Sequence, residues 1–150
     1  MRCTYQCPIW VLGILLGLTE QPGPRADDVR VTVVSVLATA KNNRVDKNCE
    51  CIAKEAQKLD PTLTGFRLGR MTKKGVTVGQ RESFPLVEEE AATVVVEQAG
   101  MKMRLTVKAP TLGDISYTTC CGKFFPIMTR YQTKDGERLI IAVMVEPVKK

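Results

Sequence analysis

The feature that most constrains this sequence is a run of β-branched residues with hardly any polar interruption, from Arg30 to Ala38 (RVTVVSVLA). β-Branched side chains favour strands. A strand that lacks polar alternation is typical of one that is covered on both faces. We therefore expect a layered fold in which this segment is a central strand.

One helix is predicted after this strand, from Lys47 to Leu59. Its apolar residues recur at offsets of three, four, seven and ten, so they form one stripe of a helix. These residues are Cys49, Ile52, Ala53, Ala56 and Leu59. Asp46 is suited to cap the start of the helix, and Asp60-Pro61 ends it because the residue before a proline avoids helical backbone angles.

The rest of the chain has the period-two pattern of strands. Between Met101 and Lys108, apolar residues alternate with basic and hydroxyl side chains, which predicts a strand with one buried and one solvated face. Further strands are predicted over Leu63–Met71, Val76–Val78, Glu82–Leu86, Ala92–Gln98, Ile115–Thr119 and Phe124–Gln132. Lys73-Lys74-Gly75 is predicted to be a turn, and Pro85 favours an edge position for its strand.

The final segment, Tyr131 to Glu146, is predicted to be a hairpin that turns at Asp135-Gly136, where positive φ is tolerated. The order of strand, helix and long run of strands predicts an α+β, mostly β fold. We expect an antiparallel meander or a sandwich-like sheet with one helix packed on it.

The first 26 residues differ in character from the rest. Arg2 is followed by an apolar run from Pro8 to Leu18, and then by a polar stretch with Pro and Gly that ends at Ala26. This layout is that of a cleavable secretory signal. The run is shorter than the about 20 apolar residues of a standard membrane-spanning helix; a buried N-terminal helix is the alternative.

We therefore expect a signal peptide over residues 1–26. Residues 27–150 then form a single exported domain in the periplasm, the cell envelope or the extracellular space, with no stable membrane span in the mature chain.

Four cysteines lie in the predicted mature chain: Cys49, Cys51, Cys120 and Cys121. An even number in an exported protein favours disulfides. Two residues on a helix differ by about 200°, so Cys49 lies on the apolar stripe and Cys51 on the opposite side. The favoured bridge joins Cys49 to Cys120 or Cys121. The alternatives are unpaired thiols and a site in which the four sulfurs hold zinc or copper(I).

The sequence contains no histidine, which removes Ser-His-Asp and Cys-His catalysis and histidine-ligated metals. No glycine-rich phosphate-binding motif is present either. The net charge of +6 includes a basic group, Arg67, Arg70, Lys73 and Lys74, but aromatic residues make up only 5%. Together with export, this argues against nucleic acid as a partner. We predict no catalytic residue and no cofactor.

The adjacent rings of Phe124 and Phe125 cannot both enter one core, so one of them is expected to face outward as a contact surface. These features favour a non-enzymatic exported module that binds or scaffolds a partner, such as another envelope protein, through its sheet. Pairing at an open strand edge is the simplest mechanism. The alternative is a thiol-based metal-binding or redox protein that uses the Cys-x-Cys and Cys-Cys pairs.

Overall fold

The computed structural model describes residues 28–98, 102–120 and 122–148; the predicted signal peptide, Met101 and Cys121 lie outside these ranges. Within them the chain forms eight strands, one α-helix and short 3-10 turns at Lys47–Cys49 and Val87–Glu89. In chain order the elements are β1 (Asp28–Thr39), α1 (Glu50–Leu59), β2 (Gly65–Thr77), β3 (Arg81–Pro85), β4 (Ala91–Gln98), β5 (Lys102–Lys108), β6 (Asp114–Cys120), β7 (Phe125–Gln132) and β8 (Arg138–Pro147).

The strands form two antiparallel four-stranded sheets. Sheet I has the order β2-β1-β8-β7, and sheet II has the order β3-β4-β5-β6. The mostly β fold with one helix is therefore confirmed. As predicted, β1 is a central strand, because it pairs with β2 on one side and with β8 on the other.

The main core lies between the two sheets. Alternate residues of β1, including Val29, Val31 and Val33, face the buried face of sheet II. Sheet II contributes Phe84, Ala92, Val94, Val96, Met103, Leu105 and Val107 to this core. Full burial of one such Val, Leu or Phe side chain contributes about 1.5–3 kcal/mol. The two facing apolar surfaces therefore hold the sheets together.

A second core lies on the opposite face of sheet I, where α1 packs. The remaining residues of β1 in this region, Val34, Val36 and Ala38, are buried beneath the helix. Four of the five predicted stripe residues lie in this core: Ile52, Ala53 and Ala56 from the helix and Cys49 from the 3-10 turn before it. The fifth, Leu59, is 62% exposed because it ends the helix beyond this core. β1 is thus covered on both faces, which explains its uninterrupted apolar sequence.

Two local predictions were wrong. Lys73-Lys74-Gly75 is not a turn, because β1 is long enough to pair with every residue from Arg70 to Thr77 and keeps this segment extended. Asp46 occupies the position before the 3-10 turn, but its side chain does not cap the helical segment; its Oδ2 accepts a hydrogen bond from the backbone N–H of Leu68 at 2.9 Å. Both differences arise from pairing with a distant segment.

Two other local predictions were confirmed. β3, which ends at Pro85, is an edge strand of sheet II. The β7–β8 hairpin turns through Asp135-Gly136, with Gly136 at φ +82°. The N–H of Gly136 donates to the carbonyl of Thr133 at 2.9 Å and closes the turn.

Candidate binding surfaces

The two cysteines of the helical segment face opposite environments. Cys49 is fully buried and Cys51 is exposed, and both are free thiols. Burial, and to a lesser extent the charge of Asp46, raises the pKa of the Cys49 thiol, so this group is a neutral apolar side chain at pH 7. The predicted bridge from Cys49 is not formed in this structure. The side chains of Cys120 and Cys121 lie outside the described residues, so their pairing stays a prediction.

The proposed four-sulfur metal site receives no support from the described half of its ligands. A tetrahedral site needs its sulfurs to converge on one point. One of the two described sulfurs points into the second core and the other into solvent. Within residues 28–98, 102–120 and 122–148, no three acidic or cysteine side chains are grouped so that they could hold a metal ion.

The two adjacent phenylalanines are divided between the two cores. Phe124 packs against the second core, beside α1. Phe125 packs against the main core and stacks on Tyr117, with ring centroids 3.9 Å apart and planes 12° from parallel. Both rings are half-buried, so the contact surface that the sequence suggested here stays a prediction. The Phe125–Tyr117 stack joins the edge strands β7 and β6.

A groove of about 510 Å³ lies between α1 and the segment that leads into β7. We call it the helix groove. It is lined by Cys51, Lys54, Glu55, Gly122, Lys123 and Phe124. The structure therefore brings together Cys51 and Phe124, which the sequence had singled out for different reasons.

The helix groove has an excess of positive charge. Glu55 is held in an ion pair with Lys58 on the next turn of the helix, at 2.9 Å. Lys54 and Lys123 have no ion-pair partner among the described residues. The sequence offered no signal for this pair of lysines, because nearly 70 residues separate them in the chain.

A second candidate surface is the outer edge of β2, the first strand of sheet I. Residues 44–46 already occupy the beginning of this edge through a parallel bridge between Val45 and Phe66. The Phe66 N–H donates to the carbonyl of Arg44 at 2.8 Å, and the Asp46 N–H donates to the carbonyl of Phe66 at 3.0 Å. Together with the contact from the Leu68 N–H to the Asp46 carboxylate, these bonds occupy the edge as far as the Leu68 N–H.

Beyond Leu68 the edge is free of any strand in the described chain. The register shifts at Gly69, where a bulge sets Arg70 opposite Ser35. Phe66 and Leu68 direct their backbone N–H groups away from β1, toward residues 44–46. Because the bulge at Gly69 adds one residue to β2, the outward positions that follow are Met71, Lys73 and Gly75, whose N–H and C=O groups point away from β1. We call these three residues the open edge.

The basic residues near the open edge divide into two kinds. Arg67 donates two hydrogen bonds to Glu137, at 2.7 and 2.6 Å, which lower the pKa of that carboxyl. Lys74 spans the gap to β3, where it donates to the carbonyl of Ser83 and lies 4.9 Å from the centroid of the Phe84 ring. Arg67 and Lys74 therefore make contacts within the folded chain.

Arg70 and Lys73 differ from them, because neither has an ion-pair partner within the described ranges. Both side chains are exposed, and Met71, on the same face of β2 as Lys73, is 45% exposed. Of the four basic residues that the sequence groups together, Arg70 and Lys73 are thus the two without an ion-pair partner in the described chain, and they lie on opposite faces of β2.

The acidic loop before β4, which contains Glu88, Glu89 and Glu90, makes specific contacts with the β7–β8 hairpin. The Glu88 carboxylate accepts hydrogen bonds from the Tyr131 hydroxyl at 2.8 Å and from the Lys134 N–H at 3.0 Å. The Lys134 and Tyr131 hydrogen bonds lower the pKa of Glu88, and the Glu88 contact raises the pKa of Tyr131 to about 12. Glu88 and Glu89 both have positive φ, at 52° and 66°, so a strained backbone holds this contact.

No family model, curated protein or solved structure matches this chain. In the part of the chain that the structure describes, no helix has the length and apolar character needed to cross a membrane. The proposals below therefore depend on the geometry of the surfaces alone.

Proposed function

We propose that this chain is a non-enzymatic exported module that binds an extended, acidic segment of a partner protein, such as another envelope protein. The partner segment adds to sheet I as a further strand at the open edge. The observation that carries this proposal is the row of outward backbone groups at Met71, Lys73 and Gly75, next to which the described chain places no strand. Such a row is a template for strand addition.

The chain's own residues 44–46 support the proposed mode of binding. They are extended, they exchange two backbone hydrogen bonds with Phe66, and they end in a carboxylate that accepts the N–H of Leu68. The first part of the β2 edge therefore already binds an extended segment with an acidic residue. A partner segment would occupy the next part of the same edge, after the Gly69 bulge.

The side chains along the open edge support the chemistry of the partner. Arg70 and Lys73 are exposed cations without ion-pair partners in the described chain, so they would attract an acidic segment and repel a basic one. The exposed side chain of Met71 lies on the same face of β2 as Lys73 and offers an adaptable apolar contact beside it, while Arg70 lies on the other face. The sequence contains no histidine, which supports a binding role over common hydrolytic chemistry.

Affinity measurements on edge variants test this proposal. The probe is a synthetic ten-residue peptide that alternates Glu with Val, and a Lys-Val peptide of equal length is its charge-reversed control. Lys73→Pro removes one outward N–H and is tolerated because that N–H makes no bond to β1. Lys73→Ala is the matched variant, since it removes the same charge and keeps the N–H.

We expect the Glu-Val peptide to bind and the Lys-Val peptide to bind at least tenfold more weakly. Lys73→Ala should weaken binding several-fold, and Lys73→Pro should weaken it by a further factor of about ten, the effect of one lost backbone bond of about 1.4 kcal/mol. Equal affinity of the Pro and Ala variants would contradict strand addition.

A further inference from the structure

The helix groove has the dimensions of a small-molecule site. Its volume of about 510 Å³ lies within the range of about 300–1,000 Å³ that is usual for ligand sites. It lies toward the β7 side of sheet I, because it includes the residues that lead into β7, whereas the open edge belongs to β2 at the opposite end of the sheet. Any ligand of this groove is therefore separate from the partner proposed above.

The charge of the lining selects an anion. Two lysines, Lys54 and Lys123, line the groove, and neither has an ion-pair partner in the described chain. The single lining carboxylate, Glu55, is compensated by Lys58 at 2.9 Å. The net charge offered to a ligand is therefore positive, and a carboxylate is a suitable partner for one or both lysines.

The remaining surface of the groove selects an apolar group. Phe124 is half-buried, with part of its ring packed against the second core and part lining the groove. The ring therefore offers an apolar wall that is supported by the core. A ligand that places an alkyl chain against this wall removes apolar surface of both partners from water.

We infer that the helix groove binds a small amphiphilic carboxylate, with the carboxylate at Lys54 and Lys123 and a short alkyl chain against Phe124. The chemical class is that of a medium-chain fatty acid anion. Both elements are required: the lysines supply charge complementarity, and the phenylalanine supplies the apolar contact.

Calorimetric titration of the full chain with octanoate tests the inference. Acetate carries the same charge without the chain, and octyltrimethylammonium carries the same chain with the opposite charge. We expect octanoate to bind at least tenfold more tightly than either of them. Lys54→Gln with Lys123→Gln should weaken octanoate binding about tenfold or more, and Lys47→Gln, an exposed lysine outside the groove, should leave it unchanged.

Cys51 provides a readout of location, because it lines the groove and is exposed, whereas Cys49 is fully buried. Bound octanoate should slow the alkylation of Cys51 by iodoacetamide, followed peptide by peptide by mass spectrometry, while Cys49 stays unreactive in the folded protein. The inference is overturned if octanoate shows no binding heat up to millimolar concentration, if octyltrimethylammonium binds equally well, or if the double glutamine variant keeps full affinity.

Discussion

Sheets I and II have the same number of strands but differ in how many of their faces are covered. Sheet I is buried on one face by sheet II and on the other by α1. Sheet II is buried on one face, and its outer face is exposed along β5 at Lys102, Arg104 and Lys108. The sequences of β1 and β5 follow this difference, since β1 is almost continuously apolar and β5 alternates.

This comparison explains where binding surfaces are available. The outer face of sheet II carries charged and hydroxyl side chains, among them Lys102, Arg104 and Thr106. Sheet I has no free face over the region that α1 covers, so its open edge and the groove beside α1 are the parts that remain accessible. The candidate surfaces of this protein therefore belong to the more deeply buried sheet.

The largest expected loss in the free energy of unfolding is for a substitution on the helix-covered face of sheet I, compared with one on the exposed face of sheet II. Ile140 of β8 is fully buried in the second core, and Ile140→Ala should lower the free energy of unfolding by about 3 kcal/mol. The control is Thr106→Ala on the outer face of sheet II, which removes a 2.8 Å hydrogen bond to Ser116 and should cost about 1 kcal/mol or less. Urea unfolding measures both, and equal losses would contradict the comparison.

The next largest loss of stability is expected at Gly69, where the loop before β4 of sheet II packs on the β2 edge of sheet I. A Cβ at Gly69 would lie 2.7 Å from Cγ1 of Val87 and 3.2 Å from the carbonyl oxygen of Ser35. Gly69→Ala should therefore destabilise the fold by about 1–3 kcal/mol. Gly75→Ala is the matched control in the same strand, because nothing lies within 4 Å of its Cβ position. This control should be neutral or slightly stabilising.

A smaller effect is expected for the ion pair at the start of β2. Arg67 and Glu137 join β2 to the β7–β8 hairpin within sheet I, and the Arg67 side chain is 53% exposed. Because solvent screens such a pair, Arg67→Ala should lower the free energy of unfolding by about 0.2–1 kcal/mol. Thermal unfolding at low and at high salt should show this loss shrinking as salt increases. A loss that is unaffected by salt would mean that packing, not charge, stabilises this contact.

The smallest expected effect is a pH dependence of stability. It arises from the contact of Glu88, in the loop before β4, with Tyr131 and Lys134 of the β7–β8 hairpin. The folded-state pKa of Glu88 is lowered, so its stabilising contribution is present above its unfolded value of about 4.3 and is lost as the pH falls through the folded value. The melting temperature of the protein should therefore exceed that of Glu88→Gln at pH 7, and the difference should shrink toward pH 3. Glu89→Gln, at a neighbouring residue of the same loop, should not show this change.

The sequence was sufficient to predict features that depend on residues close together in the chain. The two-sided burial of β1, the helical stripe from Cys49 to Ala56 and the turn at Asp135-Gly136 all follow from local spacing. The opposite environments of Cys49 and Cys51 also follow from helix geometry alone.

Features that depend on contacts between distant segments could not be predicted from the sequence. The straight course of β2 through Lys73-Lys74-Gly75 results from its pairing with β1, and Asp46 is engaged by a strand more than 20 residues away. The helix groove combines Lys54 with Lys123, a pair that only the packing of α1 beside β7 brings together. No periodic pattern in one segment carries such information.

Amide hydrogen exchange at the open edge tests the proposed strand addition most directly. In the free protein, the N–H groups of Met71, Lys73 and Gly75 should exchange quickly, while those of Arg70, Thr72 and Lys74, which face β1, should be protected. Saturation with the Glu-Val peptide should slow exchange at the first three amides at least tenfold and leave the other three unchanged. Peptide binding that leaves the exchange of Met71, Lys73 and Gly75 unaltered would contradict the account.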